Sequence, residues 1–325
     1  MKRILSGLRP TGKVHIGNYF GALINWVEFQ REYECYYEVA DWHVLTTDIE
    51  HLDLMQKNII ETVIDWISVG IKPEKSTIFV QSGVKEHAEL HLLLSMLIAV
   101  PRLQRNPTLK EQLRDLKKEE EKISYGHLGY PVLQTADILL YKPEKVPVGE
   151  DQLPHLELSR ELARRFNHLF GETFPVPEPI LSPAPRVPGI DGRKMSKSLN
   201  NAIYLSDSEE EVKSKIKRAF TDPLKIKLGD PGHPDGCVVF AYHNLVNKEE
   251  SPEIRKGCES GKLGCVECKK NCAFKMNEFL NPIREKRIGL KEKEVIEIIK
   301  EGTKKAKEFA EKTMEEVREK MNLWR

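Results

Sequence analysis

Several clusters of residues in this 325-residue chain have the types and spacing to do chemistry. The first is Arg9-Pro10-Thr11-Gly12-Lys13-Val14-His15-Ile16-Gly17-Asn18, which follows Ser6-Gly7 at the end of a short apolar run. Gly7, Gly12 and Gly17 let backbone approach a ligand closely, and a helix starting here presents free N–H groups and a positive dipole end to phosphate. His15 and Asn18, three apart, face one side of the first turn. The glycine spacing is not the dinucleotide fingerprint, and His-x-x-Asn alone is more simply a capped turn with a surface histidine. The second cluster is Gly192-Arg193-Lys194-Met195-Ser196-Lys197-Ser198. Two lysines three apart, with two serines, on a flexible loop suit a mobile clamp for a leaving pyrophosphate. Alone, a solvated basic loop is the safer reading.

Carboxylates come next. Gly149-Glu150-Asp151-Gln152 follows the strand-like Val146-Pro147-Val148. A carboxylate at the C-terminal end of a parallel strand is placed to bind a ribose hydroxyl, although Asp151 would serve equally as an N-cap. Tyr130 to Tyr141 is mostly apolar but holds Gln134 and Asp137, three apart and so on one helix face. A carboxylate in so apolar a run needs a ligand, or else an Arg or backbone partner. Asp41 and His43 are weaker pocket candidates, with Trp42 between them structural. Finally, Cys237-x20-Cys258-x6-Cys265-x2-Cys268 is interrupted by Gly261 and Gly264, so a loop can wrap an ion. Four thiolates suit tetrahedral zinc or a 4Fe-4S cluster. Cys272 reads as an extra, buried thiol.

These groups need a scaffold. Lys2–Ser6, Cys35–Ala40, Thr77–Gln81 and Lys145–Val148 read as buried strands, alternating with helical patterns such as Ile16, Phe20, Leu23, Ile24 and Val27. That alternation implies βαβ units and a doubly wound parallel sheet in an α/β protein. A polar helix is expected over Thr108–Glu121 and another helix over Gln152–Phe170. The proline-rich stretch from Phe174 to Gly189 reads as an extended connection. After about Leu205 the pattern is helical, ending on an amphipathic stripe that includes Val295, Ile299, Ala306, Ala310 and Val317. The expected division is a nucleotide-binding domain over 1–203 and a helical domain over 204–325. With 51 Lys+Arg against 50 Asp+Glu, the net charge of +1 gives no global attraction to nucleic acid, so RNA contact must use local patches. Nothing near 18 consecutive apolar residues appears, so no membrane span is expected, and the chain is expected in the cytoplasm.

Taken together, in this order, the His15-Ile16-Gly17-Asn18 and Lys194-Met195-Ser196-Lys197-Ser198 runs resemble the two signatures of class I aminoacyl-tRNA synthetases. Tyr130–Tyr141, Val146–Gln152, Glu157–Arg160, Glu301–Ala306 and Met314–Arg318 resemble, more narrowly, bacterial tryptophanyl-tRNA synthetases over nearly the full chain. The resemblance implies Mg2+-ATP, L-tryptophan and tRNA(Trp) as partners, with the tryptophan carboxylate attacking the α-phosphate and pyrophosphate leaving. Its catalytic residues would be His15, Asn18, Lys194 and Lys197. ATP would also meet Arg9, Pro10, Thr11, Gly17, Gly149, Glu150, Asp151, Val187, Met195, Ser196 and Ser198. Tryptophan would meet Gly7, His43, Tyr130, Gln134, Asp137 and Gln152, with Asp137 accepting the indole N–H. The chain departs from many members at Arg9, where Gln is common, and at Gln134, where Met is common; Gln134 could share the indole. The cysteine spacing resembles the iron–sulfur site of a subset of the family, with Cys237, Cys258, Cys265 and Cys268 as ligands. The insertion at about 102–128 would build a homodimer, and basic residues from Arg255 to Arg287 would meet the anticodon side. The competing reading is a tyrosyl-tRNA synthetase.

Overall fold

The computed structural model describes residues 1–47, 49–50, 52–110, 123–181, 187–197 and 199–324. In chain order the elements are β1 (Arg3–Leu8), α1 (Ile16–Asn18), a π-helical turn (Tyr19–Leu23), α2 (Ile24–Phe29), β2 (Glu34–Val39), α3 (Trp42–Leu45), α4 (Met55–Ser68), β3 (Ser76–Val80), α5 (Glu86–Ser95), α6 (Val100–Gln104) and α7 (Tyr125–Leu140). Then follow β4 (Lys145–Val148), α8 (Leu153–Phe170), β5 (Glu178–Leu181), α9 (Glu209–Arg218), α10 (Val238–Val246), α11 (Ser251–Glu259), α12 (Cys265–Gly289) and α13 (Glu292–Lys320).

The five strands form one sheet in the order β3-β2-β1-β4-β5, every pairing parallel. Parallel strands are covered on both faces and so read as continuous apolar runs. β3, Ser-Thr-Ile-Phe-Val, is buried at all five positions. β5 corrects the expected connection over 174–189. It tolerates Pro179 because it is an edge strand, where the missing N–H costs no ladder bond on the open side.

The packing divides the chain elsewhere than at residue 203. One compact unit contains Met1–Gly12, Asn25–Pro183 and Lys291–Arg325; the other contains Lys13–Ile24 and Ala184–Leu290. The first unit holds the sheet, and the last helix returns to it. Val295, Ala306, Ala310, Met314 and Val317 are buried on one face of α13. That face runs so close over β3 that a Cβ on Gly302 would lie 1.8 Å from the Ile78 carbonyl oxygen. Thr303 Oγ1 accepts from the Val80 backbone N–H at 3.2 Å, and Arg3 lies over the Phe309 ring at 4.1 Å.

In the second unit, the chain through Val14–Ile16 runs beside 203–205: Ile16 N–H donates to Ile203 O and Leu205 N–H to Val14 O, each at 2.9 Å. Phe20 stacks on Phe279 of α12. Arg284 joins α12 to the approach to α9, donating to Asp207 O at 2.7 Å. Most of the expected helix over 108–121, and with it part of the expected dimer-building insertion at about 102–128, falls on residues 111–122, outside the described residues. Its flanks leave Leu92, Met96, Val100 and Tyr125 exposed. Among the described residues, no helix is long and apolar enough to cross a membrane.

Candidate active site

In the first unit, α7 carries Tyr130, Gln134 and Asp137 at steps of four and three, hence on one helix face. Tyr130 and Asp137 are buried and Gln134 is partly so. Among the described residues, the partners of Asp137 are side chains, and none is an arginine. Its Oδ2 lies 2.7 Å from His43 Nε2, and its Oδ1 lies 2.7 Å from His87 Nδ1 and accepts from Gln81 Nε2 at 2.8 Å. Burial alone would raise this carboxyl; the hydrogen bonds and charge interactions with His43 and His87 overcome it and hold Asp137 well below the usual carboxylate range. It is therefore an anion whose Oδ2, among the described residues, meets His43. His43 comes from α3, whose N-cap Asp41 accepts from the Trp42 and Ser82 backbone N–H groups. Asp41 is thus spent on backbone, and His43 is the one of that pair whose side chain meets Asp137.

Gln81, His87 and Glu38 are the participants that sequence reasoning missed. The visible signal was Glu38, an ionisable residue inside a run read as a buried strand. Its Oε1 has no hydrogen-bond partner among the described residues and lies 3.8 Å from His87 Nδ1. Burial first, then Asp137 and Asp41, push its carboxyl well above the ordinary value. The folded protein thus holds a proton that the unfolded chain releases above about pH 4.3. The stability this provides is complete below that pH and is lost as pH rises toward the folded-state value, at up to about 1.4 kcal/mol per pH unit. Glu38→Gln should therefore gain melting temperature over the parent progressively from pH 5 to pH 8; a gap independent of pH would contradict the assignment.

The remaining first-unit residues lie at strand ends. A Cβ on Gly7 would come within 2.9 Å of the Glu38 carbonyl oxygen, so only glycine fits there. Arg9 is exposed and donates to Thr47 Oγ1 at 3.2 Å; Pro10 is buried and Thr11 exposed. Glu150–Gln152 forms a 3-10 turn after β4, and Gln152, not Asp151, occupies the N-cap of α8. Asp151 is exposed, and its Oδ2 accepts from Gln152 Nε2 at 3.0 Å. Its carboxylate is therefore not spent on the helix.

The second unit brings both signature runs together. His15 N–H donates to Asn18 Oδ1 at 3.3 Å, and Asn18 N–H donates to His15 Nδ1 at 3.1 Å, a reciprocal capping box. Since Nδ1 accepts, the ring proton is on Nε2. Burial, and then the nearby Lys197 ammonium, push the His15 pKa down to about 4, so the ring is a neutral Nε2–H donor at physiological pH. A Cβ on Gly17 would meet the His15 ring at 2.9 Å and lie 3.5 Å from Met195 Sδ. Asn201, buried and unnoticed in the sequence, staples the lysine loop: its Oδ1 accepts from Ser196 N–H at 2.8 Å, and its Nδ2 donates to Asp191 Oδ1 and to Lys194 O. Val187 and Met195 are buried, Lys194 is exposed, and Ser198 lies outside the described residues.

Cys237, Cys258, Cys265 and Cys268 line one cavity in the same unit, with Asp222, Lys225 and Phe240 among its walls. They arrive from the N-cap of α10, from α11 and from the first turn of α12. Gly232 leaves room at Cys258, where a Cβ would sit 2.5 Å from Sγ. Burial, and then the other three cysteines, push the Cys268 thiol up to about 12. Cys272 is fully buried one turn further on, beside Val239 O, as expected of a packing thiol. Of the basic residues around this region, Arg255 pairs with Asp235 and Glu259, Lys275 with Glu250, and Arg284 with backbone and asparagines. Lys256, Lys262 and Lys270 are exposed.

Comparison with known proteins agrees with this geometry. Residues 1–281 match the model of the class I tRNA synthetases (W and Y). The tryptophan–tRNA ligase of Thermotoga maritima is 53% identical over 99% of both chains, and that of Aquifex aeolicus 45% identical over 99% of this chain and all of its own. The crystal structure of the Campylobacter jejuni tryptophanyl-tRNA synthetase complexed with ADP and tryptophan superposes with a TM-score of 0.86 at 34% identity, covering 99% of this chain and all of that one. With both signature runs folded together and an anionic Asp137 held on the face of α7, the chain belongs to the class I tRNA synthetases, in their tryptophanyl branch.

Proposed function

We propose that the chain activates L-tryptophan with MgATP to tryptophanyl-AMP and pyrophosphate, then transfers tryptophan to tRNA(Trp). The observation that carries the reading is the His15 turn lying against the Lys194–Lys197 loop, near enough for Lys197 to depress the His15 ring. Attack of a carboxylate on the α-phosphate needs positioning and charge stabilisation more than a general base. The neutral His15 Nε2–H and Asn18 serve the phosphates, while Lys194 and Lys197 receive the charge that builds on the departing pyrophosphate. Gly17, Val187, Met195, Ser196 and Ser198 complete the phosphate and adenine contacts. On the family resemblance, Arg9, Pro10, Thr11 and Gly149–Asp151 also serve ATP, Asp151 at the ribose. Tryptophan is read by Asp137, with Gly7, His43, Tyr130, Gln134 and Gln152 around it. The exposed Leu92, Met96, Val100 and Tyr125 support a homodimer, whose mass sedimentation reads directly.

Cys237, Cys258, Cys265 and Cys268 fit a 4Fe-4S cluster, with zinc as the alternative. Four thiols face one cavity, and the missing Cβ of Gly232 leaves it room. Bound there, the group supplies a structural cross-link rather than chemistry, since aminoacylation has no redox step. These cysteines would serve tRNA through the exposed Lys256, Lys262 and Lys270.

Pyrophosphate exchange into ATP with each of the twenty amino acids tests the whole reading. Tryptophan alone should support it, and exchange driven by tyrosine would move the chain to the other branch. Cys265→Ser should impair metal loading and tRNA charging while leaving tryptophan-dependent exchange largely intact. Anaerobically purified protein should be brown, and colourless protein with one zinc per chain would replace the cluster by zinc. Loss of exchange and charging together, in a folded variant, would sink the assignment to tRNA.

A further inference from the structure

Tyr130 is backed by a hydrogen-bonded chain that the activity described above does not use. Its Oη lies 2.5 Å from His155 Nε2, and His155 Nδ1 lies 3.2 Å from Asn106 Nδ2. Tyr130, His155 and Asn106 are all buried, His155 completely. The far end of the chain has a fixed polarity. The Thr108 backbone N–H, which can only donate, points at Asn106 Oδ1 at 3.0 Å. Thr108 is itself anchored, its Oγ1 donating to Asp151 O at 3.1 Å. With Oδ1 so engaged, the Asn106 amide must turn its NH2 toward His155 Nδ1. That nitrogen is therefore a bare acceptor, the ring proton sits on Nε2, and Nε2–H donates to Tyr130 Oη. The Tyr130 hydroxyl proton is then directed away from His155.

We infer that Asn106 and His155 are positioning residues for the amino-acid site: Asn106 locks His155 in its Nε2–H tautomer, and His155 thereby fixes the orientation in which the Tyr130 hydroxyl faces the bound amino acid. The inference rests on Tyr130 lining the tryptophan pocket. The surroundings keep the ring neutral. Burial and the facing His43 push the His155 pKa down to about 4, against the opposing pull of Asp151, and the phenol of Tyr130 is raised by burial and stays protonated.

Asn106→Asp reverses the lock without changing shape. The new carboxylate still accepts from Thr108 N–H but now offers an acceptor to His155 Nδ1. In the neutral ring the proton moves to Nδ1, Nε2 becomes the acceptor, and Tyr130 turns its proton inward. The KM for tryptophan in pyrophosphate exchange should rise about tenfold at pH 8, the scale of one lost hydrogen bond, with kcat little changed. Toward pH 6 the ring beside the new carboxylate takes a second proton and Nε2–H returns, so the variant-to-parent KM ratio should shrink. A ratio equal at both pH values would show a merely structural residue and overturn the inference. Nitrogen-15 histidine spectra of the unaltered protein give a second reading: His155 should show a bare Nδ1 and a protonated Nε2 from pH 6 to 8, and a protonated Nδ1 would overturn the lock. Those spectra need no substrate, so a failure of tryptophan-dependent exchange in the parent would sink the functional reading while they still decide the tautomer.

Discussion

Lys197→Ala should lower the rate of tryptophan activation about 100-fold or more, with much smaller changes in substrate affinity. Charge accumulates on the bridging and terminal oxygens of pyrophosphate as its bond to the α-phosphate breaks, so a cation placed there acts chiefly on the transition state. Losing one such donor costs roughly 100- to 1,000-fold in kcat. Backbone hydrogen bonds hold the loop at this position. Asn201 holds the backbone at Ser196 and Lys194, and Asn200 N–H donates to Lys197 O at 3.0 Å, so the turn survives loss of the side chain. The same variant carries an internal check. Lys197 is the second cause of the depressed His15 pKa, after burial. Removing the ammonium should let His15 titrate at higher pH, yet still below an ordinary histidine, because burial remains. Near-normal pyrophosphate exchange would remove Lys197 from the mechanism, and an unmoved His15 titration would show the two groups to be independent.

Asp137→Asn should cut kcat/KM for tryptophan roughly 100-fold while phenylalanine, which has no indole N–H to place, changes little. The wild-type carboxylate is purely an acceptor and faces Gln81 Nε2, His87 and His43. An amide cannot satisfy all of them. With its oxygen kept on the Gln81 side, its NH2 faces His43, which can accept only after a tautomer change, and the indole N–H meets a donor instead of an acceptor. The protein should remain folded, because the substitution preserves volume, but discrimination between tryptophan and phenylalanine should narrow. Gln134→Met, one turn earlier on α7, should leave discrimination standing. If Gln134→Met abolished selectivity and Asp137→Asn did not, the indole acceptor would be Gln134.

The contrast between these positions shows where local reading ends. Gln134 and Asp137 were legible as one face because helix geometry is periodic, and their spacing alone puts them together; Tyr130 joins that face one turn earlier. The His15 turn and the Lys194–Lys197 loop were legible as a pair by type and order. The β5 strand was missed because its prolines obey the rules of a sheet edge, and edge position is not a local property. Asn201 was missed because a polar residue in a loop carries no mark of what it will hold.

What the sequence by itself determined is the inventory: parallel strands from continuous apolar runs, helix faces from their period, a cysteine set from its spacing. Only the tertiary structure decided the assignments between segments. Glu38, His43, Gln81, His87 and Asp137 lie on five separate elements and segments and form one buried network only because β2, β3 and α7 share the sheet and its cover. The stripe of α13 announced that a face would be buried, but not that it would return to β3 with Gly302 against Ile78 and leave the helical unit to which its place in the chain seemed to consign it. An amphipathic period specifies how much apolar surface must leave water; which surface receives it depends on shape and hydrogen-bonding partners that exist only once the remote segments have come together.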